Sequence, residues 1–182
     1  SFRLLNALIQ AARREGVINH PVHIKLDTGM HRLGFDPVSE IDQLIDVLQK
    51  QKAVRPCSIF THLVGADDDL HDSFSEQQYL LFDCASRKFM KAFKHKIARH
   101  ICNSAAIQHF PQWHMDMCRL GLGLYGVNPR DNSTIHNVSA LKTTILQIHD
   151  IPAGESVGYS RRTILSRDSR IAAIPIGYAE GL

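Results

Sequence analysis

The feature that most limits how this chain can fold is a repeated alternation of short apolar segments with patterns of helical period. Four segments are typical of buried strands: VHIKL at 22–26, CSIFTHLVG at 57–65, RHICNS at 99–104 and MCRLGLGLYG at 117–126. A helical pattern lies between each segment and the next. This order produces parallel β/α units, so we expect half of a barrel or half of an open α/β sheet.

Apolar residues at helical spacing predict the helices between these strands. Gly16 is well placed just past the end of the first helix, where a left-handed backbone is common. Ser75 with Gln78 makes a capping-box pattern ahead of a long helix. The helices are predicted from Phe2 to just before Gly16, from Ser39 through Leu48, from Ser75 through Phe93 and from Ser104 to the residue before Pro111.

The character of the sequence changes at VNPRDNSTIHN, residues 127–137, which is a polar connection. After it, LKTTILQIHD, ESVGYSRRTILS and RIAAIPIGY read as extended segments broken by PAG and RDS. Short extended segments with turn signals between them are typical of an all-β domain. We therefore predict a partial barrel at residues 1–131 and the start of a β domain at residues 132–182.

Composition excludes several classes of protein. The chain has 182 residues, of which 44% are hydrophobic and 21% are charged, and this balance is typical of a globular domain. A net charge of +3 without blocks of like charge gives no sign of a nucleic-acid partner. We expect no membrane span and no secretory signal. The four separated cysteines favour reduced thiols and a cytoplasmic protein.

Polar residues gather where each predicted strand ends. In a β/α barrel the carboxyl ends of the strands and the loops that follow them form the active site. Taken singly, each residue has a structural explanation, such as a tight turn for a glycine or a helix cap for an asparagine. The residues are Lys25, Asp27 and Thr28 after the first strand, His62 in the second, Asn103 and Ser104 in the third, and Arg119, Gly121 and Gly123 in the fourth.

Six ordered motifs together resemble the alanine racemase family. They are KLDTGMHRLG at 25–34, THLVGAD at 61–67, NSAA at 103–106, DMCRLGLGLYG at 116–126, GY at 158–159 and PIGYAEG at 175–181. The last motif has Glu180 where the family usually has Asp. The resemblance implies the C-terminal half of a (β/α)8 barrel followed by the start of a β domain, in a central fragment of a longer protein.

The resemblance also implies a function. Members of this family are homodimers that use pyridoxal 5′-phosphate to interconvert L-alanine and D-alanine with two bases, and D-alanine supplies peptidoglycan. The lysine that holds the cofactor lies upstream of the matched motifs, so we expect little or no activity from these residues alone. Two alternatives stay open: a racemase or decarboxylase of the same fold with another amino acid, and a noncatalytic relative that binds the cofactor. A metal site is the weakest reading, and we predict none.

Individual roles follow from the resemblance. Tyr159 is the second base, supplied by the other subunit and linked to His62 and Arg119. Arg119 also donates to the pyridine nitrogen. Lys25 is expected to be carbamylated, with pairing to Asp27 or another acid as the alternative. The remaining expected contacts are Asn103, Ser104, Gly121 and Leu122 to the cofactor, with the phosphate on Ser104 and nearby backbone N–H groups, and Arg32, Asp67 and Tyr178 to the substrate or its entrance.

Overall fold

The computed structural model describes residues 1–136 and 140–181, which form two compact units. The first unit holds the described residues up to 136, and the second holds residues 140–181. The boundary after residue 131 stays a prediction. None of the described helices is both long enough and apolar enough to cross a bilayer.

The first unit is a three-stranded parallel sheet with helices between its strands. The strand order is β1-β2-β3, so consecutive strands are neighbours, as in a β/α barrel. In chain order the elements are α1 (Phe2–Arg14), β1 (His20–Lys25), α2 (Ile41–Gln49), β2 (Val54–Phe60), α3 (Asp72–Lys91), β3 (Ala98–His100) and α4 (Ser104–His109). Helix α1 ends as predicted, with Gly16 at φ +65° and its N–H donating to the Arg13 carbonyl.

The strands separate apolar from polar side chains by simple alternation. Ile24 and Ile59 belong to the buried core, which they share with Leu44 of α2 and Phe82 of α3. His23, Lys25, Ser58 and Phe60 occupy the alternate positions, and the strand register pairs His23 with Ser58 and Lys25 with Phe60. One face of the sheet therefore carries the packing and the other carries the polar side chains.

The second strand lies earlier in the chain than predicted. It begins at Val54 and ends at Phe60, whereas residues 61–65 form a loop. Pro56 has no N–H to donate, and the register shifts beside it, because Val22 pairs with Pro56 and His23 pairs with Ser58. Because of this register shift, β2 can include Pro56 and begin at Val54. The apolar residues Leu63 and Ala66 are buried as loop residues.

The prediction of a fourth strand was wrong. Residues 117–126 contain no strand and instead form a 3₁₀ turn at Leu122–Tyr125. The segment follows β3 for only a short distance: the Asp116 N–H donates to the Arg99 carbonyl and the Arg119 N–H to the Cys102 carbonyl. The Gly121 N–H then turns to the Ser104 hydroxyl, which ends the pairing.

The capping-box prediction was also wrong. Helix α3 begins at Asp72, so Ser75 and Gln78 lie inside it, and both are buried. The Gln78 amide donates to the Thr28 hydroxyl (3.2 Å) and to the His62 carbonyl (3.1 Å). Its carbonyl oxygen accepts from the Val64 N–H (3.0 Å). Gln78 thus fastens the loop after β2 to the helix.

The second unit is built from antiparallel strands, in agreement with the extended segments predicted there. Strand β4 (Gln147–Ile151) pairs with β7 (Ser169–Ala173). Strand β5 (Ser156–Val157) pairs with β6 (Thr163–Ile164). A 3₁₀ turn at Tyr159–Arg161 follows β5 directly.

Replacement of Gln78 tests whether its hydrogen bonds hold this loop. Gln78→Leu keeps the size of the side chain but leaves the Val64 N–H, the Thr28 hydroxyl and the His62 carbonyl without this partner. We expect the free energy of unfolding in urea to fall by about 2–4 kcal/mol. Gln77→Leu is the control, because Gln77 is exposed on the same helix. Equal losses in the two variants would contradict the role of Gln78.

Candidate functional site

A pocket of about 430 Å³ lies against the carboxyl ends of the parallel strands. It contains a basic side chain, an imidazole, an amide, a hydroxyl and glycine backbone. Seven of the residues predicted for the site line it: His62, Asp67, Asn103, Ser104, Arg119, Gly121 and Leu122. The first unit therefore brings together residues that are up to 60 positions apart in the chain.

Arg119 is fixed in the pocket by neutral acceptors. Its Nη2 donates to the carbonyl oxygens of Thr61 (2.8 Å) and Ile101 (3.2 Å), and its Nη1 donates to His100 Nδ1 (2.9 Å). The guanidinium carbon lies 5.2 Å from the centre of the Phe60 ring. Burial lowers the pKa of Arg119, but an arginine remains protonated in proteins. The guanidinium is thus an immobile cation.

His62 lies against this cation and is held neutral. Its Nδ1 is 3.3 Å from Arg119 Nη2. Burial lowers the pKa of His62, and the positive charges of Arg119, Lys25 and Arg32 lower it further. Because arginine can only donate, Nδ1 must be the acceptor, and the proton of the neutral ring is on Nε2. His62 can therefore offer an Nε2–H donor to a further group.

A second imidazole, His100, was not predicted as a site residue. It is buried, and its ring stacks on Phe60 at a centroid distance of 4.8 Å. Burial, the charge of Arg119 and the neighbouring His23 lower the pKa of His100 to about 4. The signal that was missed is alternation: the register pairs His100 with Phe60 and Phe60 with Lys25, so the three residues lie in one layer of the sheet, on the face that carries the polar side chains.

Ser104 and the glycines after Arg119 form a small hydrogen-bonded cluster. The Ser104 hydroxyl oxygen accepts from the N–H groups of Gly121 (2.8 Å) and Gly123 (3.3 Å). A Cβ on Gly123 would lie 3.0 Å from Leu120 Cδ1 and 3.7 Å from the Ser104 hydroxyl. Leu122 opens the 3₁₀ turn, so its N–H has no acceptor inside the turn. Such N–H groups suit an anion.

Asn103 supports this cluster from the helix side. Its side-chain oxygen accepts from the Ala106 N–H (3.1 Å) and caps α4, while its amide donates to the Leu63 carbonyl (3.0 Å). Through these two hydrogen bonds Asn103 connects α4 to the loop after β2.

The loop after β1 is organised by Asp27. Its carboxylate accepts from the N–H groups of Gly29 (3.1 Å), Met30 (2.9 Å) and His31 (3.0 Å). Burial alone would raise the pKa of Asp27, but these three donors outweigh it and the pKa is lowered. A Cβ on Gly34 would lie 2.7 Å from the Asp27 nitrogen, and its φ is +138°, so this position requires glycine.

Lys25 has no carboxylate partner within salt-bridge distance in the described part of the chain. The alternative of a Lys25–Asp27 pair is therefore not supported, since Asp27 binds its own loop. Burial lowers the pKa of Lys25, the charges of Arg32 and Arg119 lower it further, and Asp27 opposes them. Arg32 itself is exposed.

Tyr159 and Tyr178 belong to the second unit. Their side chains are 91% and 87% exposed, so neither phenol is buried by the unit that carries it. Asp67 is exposed at the rim of the pocket.

The loop that carries Asp67 is held by a hydrogen bond of His109 and by an ion pair of Arg130. His109 Nε2 lies 2.7 Å from an Asp72 carboxylate oxygen and 3.6 Å from one of Asp69, and Arg130 pairs with Asp69. Arg130 also donates to the Ala66 carbonyl (3.3 Å). The ligand atoms of Asp69, Asp72 and His109 lie within 4.8 Å of one another. Because Arg130 and His109 pair with these carboxylates, we interpret the group as a structural cluster.

Comparison with known proteins identifies the family. The family model "Alanine racemase, N-terminal domain" matches residues 1–129, and "Alanine racemase, C-terminal domain" matches residues 138–182. The chain belongs to the alanine racemase family. Its predicted fold class is confirmed: a parallel α/β unit precedes antiparallel strands, in a chain whose structural neighbours are alanine racemases.

Individual relatives agree with this assignment. Alanine racemase 1 of Oceanobacillus iheyensis is 34% identical over 168 residues, which are 88% of this chain and 43% of that protein. The alanine racemase of Prochlorococcus marinus is 37% identical over 170 residues, 88% of this chain and 43% of that protein. The solved structure of alanine racemase from Clostridium difficile 630 matches this chain with a TM-score of 0.78 at 30% identity. The match covers 100% of this chain and 48% of that structure's chain. The chain thus spans about half the length of the relatives it matches.

The lowered pKa of His100 predicts acid sensitivity. Below pH about 6.5 the unfolded chain takes up a proton on this residue before the folded protein does, so stability is lost down to pH about 4. The loss attributable to His100 is about 3 kcal/mol in the free energy of unfolding. His100→Gln keeps an acceptor and a donor but cannot titrate here.

Urea unfolding of the parent and of His100→Gln at pH 7 and pH 4.5 measures this contribution. We expect the parent to lose more stability than the variant between the two pH values. Acidic residues titrate in both proteins, so the difference isolates His100. An identical pH dependence in the two proteins would refute the lowered pKa.

Proposed function

We propose that the protein carrying this chain is a pyridoxal-phosphate-dependent alanine racemase of the cytoplasm. It interconverts L-alanine and D-alanine and so supplies D-alanine for the synthesis of peptidoglycan. The observation that carries the proposal is the Arg119–His62 pair on a pocket that also presents Ser104 and the backbone of Gly121. This combines a fixed cation, a neutral imidazole donor and an anion-binding loop.

The residues present fit this cofactor. Its phosphate is an anion, and the Ser104 O–H together with the Leu122 N–H would hold it, while the Gly121 and Gly123 N–H groups donate to the Ser104 oxygen and fix its orientation. A Cβ on Gly121 would stand 3.6 Å from the Ser104 hydroxyl and narrow the space between these donors. When bound, pyridoxal phosphate supplies a conjugated ring that accepts the electrons left when the α-proton of an amino acid is removed.

Arg119 would hold the ring nitrogen of the cofactor. Its Nη2 bonds to Thr61, Ile101 and His62, and its Nη1 bonds to His100. Among the described residues no acceptor bonds to its Nε–H, so this donor can serve the pocket. Since arginine does not release its proton, it would donate a hydrogen bond without protonating the ring. This would keep the bound ring a weaker electron acceptor and would limit side reactions such as transamination.

Tyr159 would act as the base on one face of the substrate. A free phenol has a pKa of about 10, so it needs donors or positive charge to ionise at neutral pH. The Nε2–H of His62 is such a donor, and Arg119 stands directly behind it. The near-complete exposure of Tyr159 suits delivery to a second copy of the chain, in a homodimer with shared active sites.

Tyr159→Phe tests this role in the full-length protein loaded with pyridoxal phosphate. Removing the phenol deletes one of the two bases, so we expect exchange of the α-proton of L-alanine into solvent to fall by about 10²- to 10⁴-fold. Chiral chromatography of D-alanine and NMR of deuterium incorporation measure the loss.

Tyr79→Phe is the matched control, because Tyr79 stacks on Trp113 (4.6 Å between centroids) and keeps its ring in the variant. It should retain the parent rate. Normal turnover by Tyr159→Phe would refute the role of Tyr159, and a parent protein that does not racemise alanine would refute the proposed function. The same assay with larger amino acids tests the choice of substrate.

The substrate carboxylate would be met by positive charge at the end of β1. Arg32 is exposed there, and its charge lowers the pKa values of both Lys25 and His62, so it acts on the pocket. Asp67 at the rim, together with Tyr178 from the second unit, is proposed to line the entrance. Both are exposed polar side chains, which suits a passage for a small zwitterion such as alanine.

Lys25 is proposed to be carbamylated. The Lys25 ammonium first loses one proton; the neutral amine then attacks carbon dioxide, an N–C bond forms as one C=O π bond opens, and a second proton leaves the nitrogen, so a cation becomes an anion. The lowered pKa of Lys25 favours the neutral amine that this step needs. The carbamate would replace repulsion between Lys25 and Arg32 by attraction, and it would orient the arginine.

NMR of the full-length protein in ¹³C-bicarbonate tests this modification. We expect one carbamate carbon signal, absent in Lys25→Gln and retained in Lys91→Gln, because Lys91 lies exposed at the end of α3. A spectrum without a carbamate signal would mean that Lys25 remains an amine.

A further inference from the structure

A continuous chain of hydrogen bonds runs across the sheet behind Arg119. His100 Nδ1 accepts from Arg119 Nη1 (2.9 Å), and His100 Nε2 lies 3.1 Å from the Ser58 hydroxyl oxygen. The Ser58 hydroxyl in turn bonds to His23 Nδ1. Ser58 is 1% exposed and His100 is 3% exposed, so water does not compete for these atoms.

Chemistry fixes the direction of the first two bonds in this chain, and the third follows from the need of the Ser58 proton for an acceptor. Arginine can only donate, so His100 must present an unprotonated Nδ1 to it. A neutral His100 then carries its proton on Nε2 and needs an acceptor there. Ser58 can accept from His100 and donate at the same time, provided that another acceptor takes its own proton. His23 Nδ1 is that acceptor.

Two other features restrain the same ring. His100 stacks on Phe60, which fixes its plane but does not choose between its two nitrogens. The T-shaped contact of His23 with His100, at 6.2 Å between centroids, brings the two imidazoles together without a direct hydrogen bond. Besides Arg119 itself, the Ser58 hydroxyl is the contact among the described residues that distinguishes the ring orientation that serves Arg119 from the flipped one.

We propose that Ser58, backed by His23, is a positioning residue for Arg119, because it holds the His100 ring with its Nδ1 lone pair toward the guanidinium. Without the hydroxyl, a buried Nε2–H has no acceptor, and the ring gains by flipping or exchanging its proton. Either change removes the acceptor of Arg119 Nη1. The consequence for the reaction rests on the proposed function, whereas the orientation of His100 does not.

Three variants of Ser58 separate the hydroxyl from its volume. Ser58→Ala removes the oxygen, Ser58→Thr keeps it with one added methyl group, and Ser58→Val has the shape of threonine without the oxygen. Ser58→Thr and Ser58→Val share any cost of packing the larger side chain, so a difference between these two variants reports the hydroxyl. His23→Phe is a further variant at a more exposed position, which removes the acceptor of the Ser58 proton.

NMR of full-length protein labelled with ¹⁵N in the histidine rings reads out His100, whose signals are those missing in His100→Gln. We expect a single neutral form with the proton on Nε2 in the parent and in Ser58→Thr. In Ser58→Ala and Ser58→Val the two ring nitrogens should broaden or average, and His23→Phe should show a weaker effect in the same direction. Unchanged His100 signals in both Ser58→Ala and Ser58→Val would overturn the proposal.

The second readout is the cofactor and the reaction. Loss of one buried hydrogen bond should reduce pyridoxal phosphate affinity and kcat/KM by about tenfold in Ser58→Ala and Ser58→Val, with Ser58→Thr near the parent. Equal values in Thr and Val would mean that Ser58 acts by packing alone and would overturn the proposal. If the parent does not racemise alanine, the proposed function fails, but the ring signals still decide the role of Ser58.

Discussion

The buried charge of Arg119 is the constraint on which the rest of the site depends. A guanidinium taken out of water is costly unless its donors are satisfied. Here it has no carboxylate partner within salt-bridge distance in the described part of the chain; carbonyl oxygens at the ends of two strand segments and two imidazoles accept its protons instead. Both imidazoles must therefore stay neutral. Burial and, after it, the charge of Arg119 lower the pKa values of His62 and His100.

An uncompensated cation also determines which ligands the pocket prefers. Arg119, Lys25 and Arg32 all act on the same region, while the nearby carboxylate of Asp27 is used by its own loop. The positive potential would be relieved by an anion, whether the phosphate of a cofactor, the carboxylate of a substrate or a carbamate on Lys25. The three proposals thus answer one electrostatic requirement.

Alternation of apolar and helical patterns was sufficient to predict that β1, β2 and β3 exist with helices between them, because hydrophobic period dominates local structure, but β2 and β3 end earlier in the chain than predicted. The two main errors have local causes. Residues 117–126 look like a strand in sequence, but the Gly121 N–H bonds to Ser104 and leaves the sheet. Gln78 has the spacing of a capping residue, yet three partners inside the fold place it in the helix interior.

The difference between a local sequence pattern and a contact formed only in the fold also explains which site residues were predicted. Four of the seven predicted residues that line the pocket follow the ends of β2 and β3, and that position can be read from the sequence, whereas the other three lie in the segment 117–126, which forms no strand. His100 and Ser58 lie within strands, where alternation indicates the face that a polar residue occupies but not its role. Their role depends on the register that sets Phe60 beside His100 and Ser58 beside His23, and register is a property of the paired sheet. The role of a histidine in such a strand can be assigned only when the neighbouring strand is known, because that strand supplies the atom that determines which ring nitrogen carries the proton.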